Sequence, residues 1–143
     1  MKKSVTFSVV SIAALFVLIV QGCNFSTANI SSFKSSADKE GKTETANFKA
    51  GEPIYARATV SNNPGKVKVK FSIVPEADKG DLKKGQSIKE LETLQDIEGG
   101  GVAVYSFSPT AEFPAGTYKI NADMIGDAGE KKDGKSVTVT VAE

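Results

Sequence analysis

The alternation of apolar and polar residues divides the chain near residue 22. Before that point Val5 to Val20 form an apolar run interrupted only by small Ser and Thr residues and preceded by Lys2 and Lys3. After it, apolar residues occur in short runs with a period of two, as a β-strand with one buried face requires. Ile54, Ala56, Ala58 and Val60 alternate with Tyr55, Arg57, Thr59 and Ser61, and Val67, Val69, Phe71 and Ile73 alternate with Lys66, Lys68, Lys70 and Ser72. Between the two runs lies Asn62-Asn63-Pro64-Gly65, whose residues tolerate positive φ or preset a turn. The two runs are therefore expected to pair as a β-hairpin.

The same reading extends to the rest of the chain. Asn29 to Ser36 is a candidate first strand, although Ile30 and Phe33 break the alternation, and Asp38 to Lys42 is a turn. Gly99-Gly100-Gly101 turns into Val102 to Ser108, where Ala103, Tyr105 and Phe107 oppose Val102, Val104 and Ser106. Two final strands follow, one through Tyr118, Ile120, Ala122 and Met124 and one through Val137, Val139 and Val141. Residues 75–101 admit two readings. Ser87-Ile88-Lys89-Glu90 fits a capping box, with Ile88, Leu91 and Leu94 on one helical face; Leu91, Thr93, Gln95 and Ile97 also alternate as a strand. The strand, near Glu90 to Ile97, is favoured because its neighbours on both sides are strands.

The leader has the basic start and apolar run of a secretory signal, and ends in Gly22-Cys23 in place of a small-x-small cleavage site. Its run of about 16 residues is shorter than the ~20 that a spanning helix needs. It closes on Val20-Gln21-Gly22-Cys23, and Cys23 is the one cysteine of the chain. Here the chain resembles a bacterial lipoprotein precursor, with Val20 and Gly22 at the lipobox positions and Gln21 where a small or short aliphatic residue is more usual. The resemblance implies cleavage after Gly22, lipid on the Cys23 sulfur, and acylation of the new amino group. Several acyl chains, each buried CH₂ contributing about 0.8 kcal/mol, make a lasting anchor. Membrane attachment through Cys23 in a bacterial cell envelope is thus expected. Asn24 is not the retaining aspartate of enterobacterial sorting, which favours the outer membrane, facing periplasm or exterior; in a monoderm host the site is the outer face of the plasma membrane. The competing reading of the leader is an uncleaved membrane helix ending in a chance cysteine.

The expected organisation is then a signal peptide over residues 1–22, a lipidated cysteine and tether over 23–28, and a domain over 29–143. The 143-residue chain less its first 22 leaves 121, one domain's worth, able to bury about two-thirds of its unfolded surface. A lone cysteine excludes an internal disulfide, so packing must supply the stability. The formal charge of +1 becomes about −1 without Lys2 and Lys3, which gives no reason to expect nucleic acid.

Within the domain, Gly116-Thr117-Tyr118 at the start of a strand resembles the tyrosine corner of immunoglobulin-like folds. Ile120 stands where an antibody domain has its second cysteine, and Phe71 where it has the core tryptophan; the chain has no Trp. The resemblance implies an all-β fold, an Ig-like or fibronectin-III-like antiparallel β-sandwich of about seven strands.

Candidate chemistry is sparse. There is no histidine, which removes the commonest general base and transition-metal ligand, and lipid on Cys23 would remove the thiol. Glu90, Glu92, Asp96 and Glu98 read as a solvated face. No enzyme activity, metal or cofactor is expected. Asp123, Asp127, Glu130 and Asp133 gather oxygen ligands of a kind that suits Ca²⁺, but without EF-hand spacing and among Lys131, Lys132 and Lys135. A polar hairpin loop is the simpler account. Lys66, Lys68 and Lys70 share one strand face, and with Lys119 they are a candidate basic patch for lipid phosphates or an anionic polymer, against ordinary solvation. The function these features favour is a non-enzymatic, lipid-anchored module that contacts another envelope protein; the alternative is a module binding glycan, anionic envelope polymer or calcium.

Overall fold

The structure, a computed structural model, describes residues 28–143. The leader, its cleavage point at Gly22, Cys23 and the tether as far as Thr27 lie outside the described residues.

Among the described residues eight strands form two packed sheets: β1 (Asn29–Ser36), β2 (Asn47–Lys49), β3 (Ile54–Ser61), β4 (Lys66–Pro75), β5 (Thr93–Glu98), β6 (Gly101–Phe107), β7 (Gly116–Ile125) and β8 (Lys131–Ala142). One sheet has the order β1-β3-β6 and the other β2-β8-β7-β4-β5. All neighbours are antiparallel except β2, which pairs in parallel with β8, Phe48 opposite Val141. This is the immunoglobulin-like sandwich, with the three-residue β2 as the strand that alternation does not reveal.

The hairpin expected of β3 and β4 does not form. β3 pairs with β1 and β6, and β4 with β5 and β7. Alternation identifies a strand with one buried face; both strands have one because each sheet turns a face toward the other, and the pattern does not say which neighbour carries the hydrogen bonds. The four residues between them arch across the sandwich. Asn62 takes a positive φ of 54°, which asparagine tolerates better than most residues. The Asn63 side-chain amide donates to the carbonyls of Gly65 and Gly99 at 3.0 and 2.9 Å.

β1 shows why Ile30 and Phe33, three positions apart, both face inward. Its register against β3 shifts between Ile30 and Ser32, and such a bulge inserts one residue without breaking the strand. The displaced Ser31 hydroxyl bonds to the Ser61 hydroxyl at 2.8 Å.

The core lies between the sheets. Phe71 of β4 is fully buried and stacks on Tyr105 of β6 with centroids 5.4 Å apart, while Phe33 of β1 sits 6.1 Å away. It therefore bridges the sheets as the core tryptophan of an antibody domain would. Ile120 and Ile54 are also fully buried. The tyrosine corner is present in full: the buried Tyr118 hydroxyl donates to the Pro114 carbonyl. Gly116, two residues before it, has φ 148° and lies under the Lys79 side chain, where a Cβ would stand 2.6 Å from Lys79 Cε. The Lys79 tip could swing aside, but the positive φ is what favours glycine here.

Strand direction gives the molecule two poles. Asn29 begins β1 beside the β3–β4 arch, the β5–β6 turn at Gly99-Gly100, and the β7–β8 turn. These connections are short and mutually tied: Gly99 N–H donates to the Gly65 carbonyl at 2.8 Å, and Ile30 N–H to Asp133 Oδ2 at 2.7 Å. The opposite pole, about 30 Å away at ~3.3 Å per residue along the ten residues of β4, carries the long segments 76–92 and 108–115 and the C-terminus.

Candidate functional site

Residues 75–101, which admit two readings in the sequence, form the favoured strand and not the capped helix. The segment between β4 and β5 holds a short 3₁₀ turn, Lys89–Leu91. The Ser87 hydroxyl does not cap the turn; it bonds to the Glu92 carboxylate. That bond, and next the Lys70 ammonium beside it, hold the Glu92 carboxyl below its usual range. Upstream, the segment folds back along β4. Gly85 N–H donates to the Pro75 carbonyl at 3.0 Å and Ile88 N–H to the Ile73 carbonyl at 2.9 Å. Lys79 and Leu82 exchange two backbone bonds of 2.8 and 2.9 Å around Gly80, whose φ is 56°. These bonds satisfy much of the backbone of an excursion that belongs to no sheet.

The second segment, between β6 and β7, is set by aromatic packing. Phe113 lies 4.9 Å from Phe107 in an edge-to-face arrangement and 4.8 Å from Tyr118. Phe113 N–H closes a turn on the Thr110 carbonyl at 3.0 Å, and Gly51 N–H holds the Pro109 carbonyl at 2.7 Å. The Tyr105 hydroxyl reaches across to the Leu91 carbonyl at 2.9 Å, joining β6 to the other segment.

Between the two segments runs an open groove of about 660 Å³, within the size range of small-molecule sites. Leu82, Ile88, Leu91, Phe107, Phe113 and Pro114 supply its apolar surface, and Lys79, Asp81, Glu90 and Glu112 are its charged lining residues. These apolar residues are half-buried: they pack on the core and still reach solvent. The sequence contains all of them, but they are scattered over some thirty positions and no single period joins them. Only the fold collects them.

The lysines singled out in the sequence do share a face, but not an uncompensated one. Lys66 stands opposite Glu98 and Lys68 opposite Asp96 across β4 and β5, with ion-pair distances of 3.7 and 3.8 Å. Lys70 reaches Glu92 at 3.1 Å, and Lys119 pairs with Glu76 at 3.1 Å. Lys119 is also displaced from the other three. It lies opposite Val74, while Lys70 lies opposite Asp123, a separation of four residues or about 13 Å. The Lys66 and Lys68 pairs are rungs of a cross-strand ladder of ion pairs, which Lys70 extends to Glu92 just ahead of β5. Of the four carboxylates that could suit calcium, three are likewise engaged elsewhere. Asp123 pairs with Lys131 at 2.7 Å and Glu130 with Lys132 at 3.4 Å. Asp133 accepts from Ile30 and Gly134 N–H at 2.7 and 2.8 Å.

No protein-family model matches the chain, nor does the sequence of any curated protein. Among solved structures it is similar to the C-terminal domain of Wzt, with 14% identity and a TM-score of 0.51 over 81% of this chain and 74% of that one. Lower scores relate it to the PmoD soluble domain of Methylocystis (12% identity, TM-score 0.45, 77% and 89% covered). A Niemann-Pick type C2 protein of the Japanese carpenter ant gives 13% identity and a TM-score of 0.44, with 80% and 92% covered. At such identities the likeness concerns the fold alone, and it is to β-sandwich domains.

Proposed function

We propose that this protein is a lipid-anchored, non-enzymatic module of a bacterial cell envelope that works by holding another protein. The observation carrying this reading is the groove and its place in the fold. It is an apolar concavity of about 660 Å³ built by the two long segments, and it opens at the pole opposite Asn29. With acyl chains on Cys23 and a tether of a few residues, one pole stays near the membrane and the groove faces away from it. Half-buried aromatic surface held on a rigid scaffold is the usual anchor of a protein contact. The second reading, a small apolar ligand, is favoured by the groove's volume. The ion-paired lysines weaken the case for an anionic polymer.

The test is in-cell photo-crosslinking from position 110, with the photoreactive residue replacing the exposed Thr110 in the full-length chain. Mass spectrometry then identifies the captured species and the mature N-terminus. One dominant protein, captured on a chain beginning at acylated Cys23, is the expected result. Capture of lipid or small molecules alone transfers the assignment to ligand binding, and an unprocessed N-terminus removes the anchor from the proposal.

A further inference from the structure

The groove's floor and mouth differ in chemistry. Its floor is apolar and partly aromatic, from Phe107 and Phe113, but the exposed side chains lining it include the carboxylates of Asp81, Glu90 and Glu112. None of these three has an ion-pair partner among the described residues, whereas Glu92, Asp96 and Glu98 of the adjacent ladder are each matched by a lysine. Lys79 is the lining cation, and its stem and ammonium lie against Gly116. Carboxylates at the edge of a low-dielectric wall focus their field into it, and an apolar guest alone would gain nothing from them.

The carboxylates also stand on both banks. Asp81 and Glu90 belong to the segment between β4 and β5, and Glu112 to the segment between β6 and β7. A single small cation meets one bank; a chain lying in the groove meets both. Arg and Lys have the matching form, with an apolar stem able to lie on Phe rings and a cationic head that stays at the edge.

We propose that the groove docks a basic segment of the partner polypeptide, with Arg or Lys stems laid over Phe107 and Phe113 and their cationic heads set against Asp81, Glu90 and Glu112. This rests on the protein-contact reading above and names the chemistry of the partner.

The test keeps the full-length chain in its cells, with the crosslinker at position 110, and sequences the partner peptide attached to it. A segment carrying at least two Lys or Arg residues beside the crosslink is expected. The E90K/E112K variant should lower its capture about tenfold or more, since two attractions become repulsions, while D96K on the ladder leaves capture within about twofold. Both changes are at exposed positions, and circular dichroism checks that each variant is folded. Binding of the purified full-length chain in detergent to a synthetic copy of the captured segment should weaken as salt rises. A neutral or acidic captured segment, a second copy of this chain, or capture and affinity indifferent to E90K/E112K and to salt would each overturn the basic-segment proposal while leaving protein contact standing. Capture of no protein at all is the separate outcome that removes the contact reading itself.

Discussion

Replacing Tyr118 by Phe deletes one hydroxyl and leaves the ring. The ring is 1% exposed, so the packing term is unchanged; what goes is the bond from the hydroxyl to the Pro114 carbonyl. An intramolecular hydrogen bond is worth about 1 kcal/mol net, and stranding a buried acceptor costs about 1–3 kcal/mol more. Pro114 is only half-buried, so water can reach its carbonyl and the lower end applies, giving a loss of about 1–2 kcal/mol in all. At an unfolding entropy of about 2.1 cal/mol/K per residue, the 116 described residues unfold with roughly 0.24 kcal/mol/K. The midpoint should therefore fall by about 4–8 °C. Thermal melts followed by far-ultraviolet circular dichroism would read this directly. Tyr55→Phe is the control, because Tyr55 lies half-exposed on the outer face of β3 and its hydroxyl has no protein partner among the described residues. Hydrogen exchange should localise the effect, with amides of residues 108–115 exchanging faster in Tyr118→Phe and those of β3 unchanged. Equal melting shifts for the two variants would refute the assignment of Tyr118 as the post that fixes one bank of the groove.

Two further outcomes follow from the charges. Burial pushes the Tyr105 phenol from 10.0 up to about 12, so the folded state keeps a proton that the unfolded chain releases. The associated stability is whole below pH 10 and is lost as pH rises toward 12. Urea midpoints measured across that window should fall less steeply in Tyr105→Phe, and parallel slopes would contradict the burial argument. On the ladder, K66E/K68E/K70E sets like charges against Glu98, Asp96 and Glu92 and should cost about 1–3 kcal/mol at low salt, shrinking as the Debye length falls from about 10 Å at 0.1 M to 3 Å at 1 M. Exchanging all three pairs, so that the lysines sit at positions 92, 96 and 98, should restore most of that loss; failure to do so would mean the pairs do not act as pairs.

The strands were legible because a sandwich buries one face of each sheet, and that condition writes a period of two into the sequence. Ile54 to Val60 and Val67 to Ile73 obey it without exception. Pairing was less legible, since a period of two is blind to which neighbour lies alongside; β3 and β4 have the same signature whether they share a sheet or oppose each other across the core. β1 was obscured by its bulge at Ser31, and β2 by its length of three residues. The Gly116-Thr117-Tyr118 corner was readable because it depends on local geometry, a glycine at φ 148° and a tyrosine hydroxyl reaching four residues back. The groove was not. Leu82, Ile88, Phe107 and Phe113 become neighbours only when two long segments meet at one pole, and none of them is periodic with the others. Lys66, Lys68 and Lys70 lie along one face as their spacing implies, but the acids that match them come from β5 and the residue just before it, and no local pattern specifies their register against β4.

The placement of the first and last strands gives the sandwich a mechanical axis. β1 leads out at one pole and β8 at the other, so a pull between Asn29 and Glu143 runs along the strands. It draws β1 against β3, and β8 against both β7 and its parallel partner β2, whose contact is closed by Thr140 N–H to the Ala46 carbonyl at 2.7 Å. Every hydrogen-bonded ladder on that path is loaded in shear, with its bonds sharing the force at once, and none is peeled open bond by bond. A load taken between the Asn29 pole and the proposed partner in the groove would follow nearly the same line, and the sandwich would then carry it in tension, as a tie.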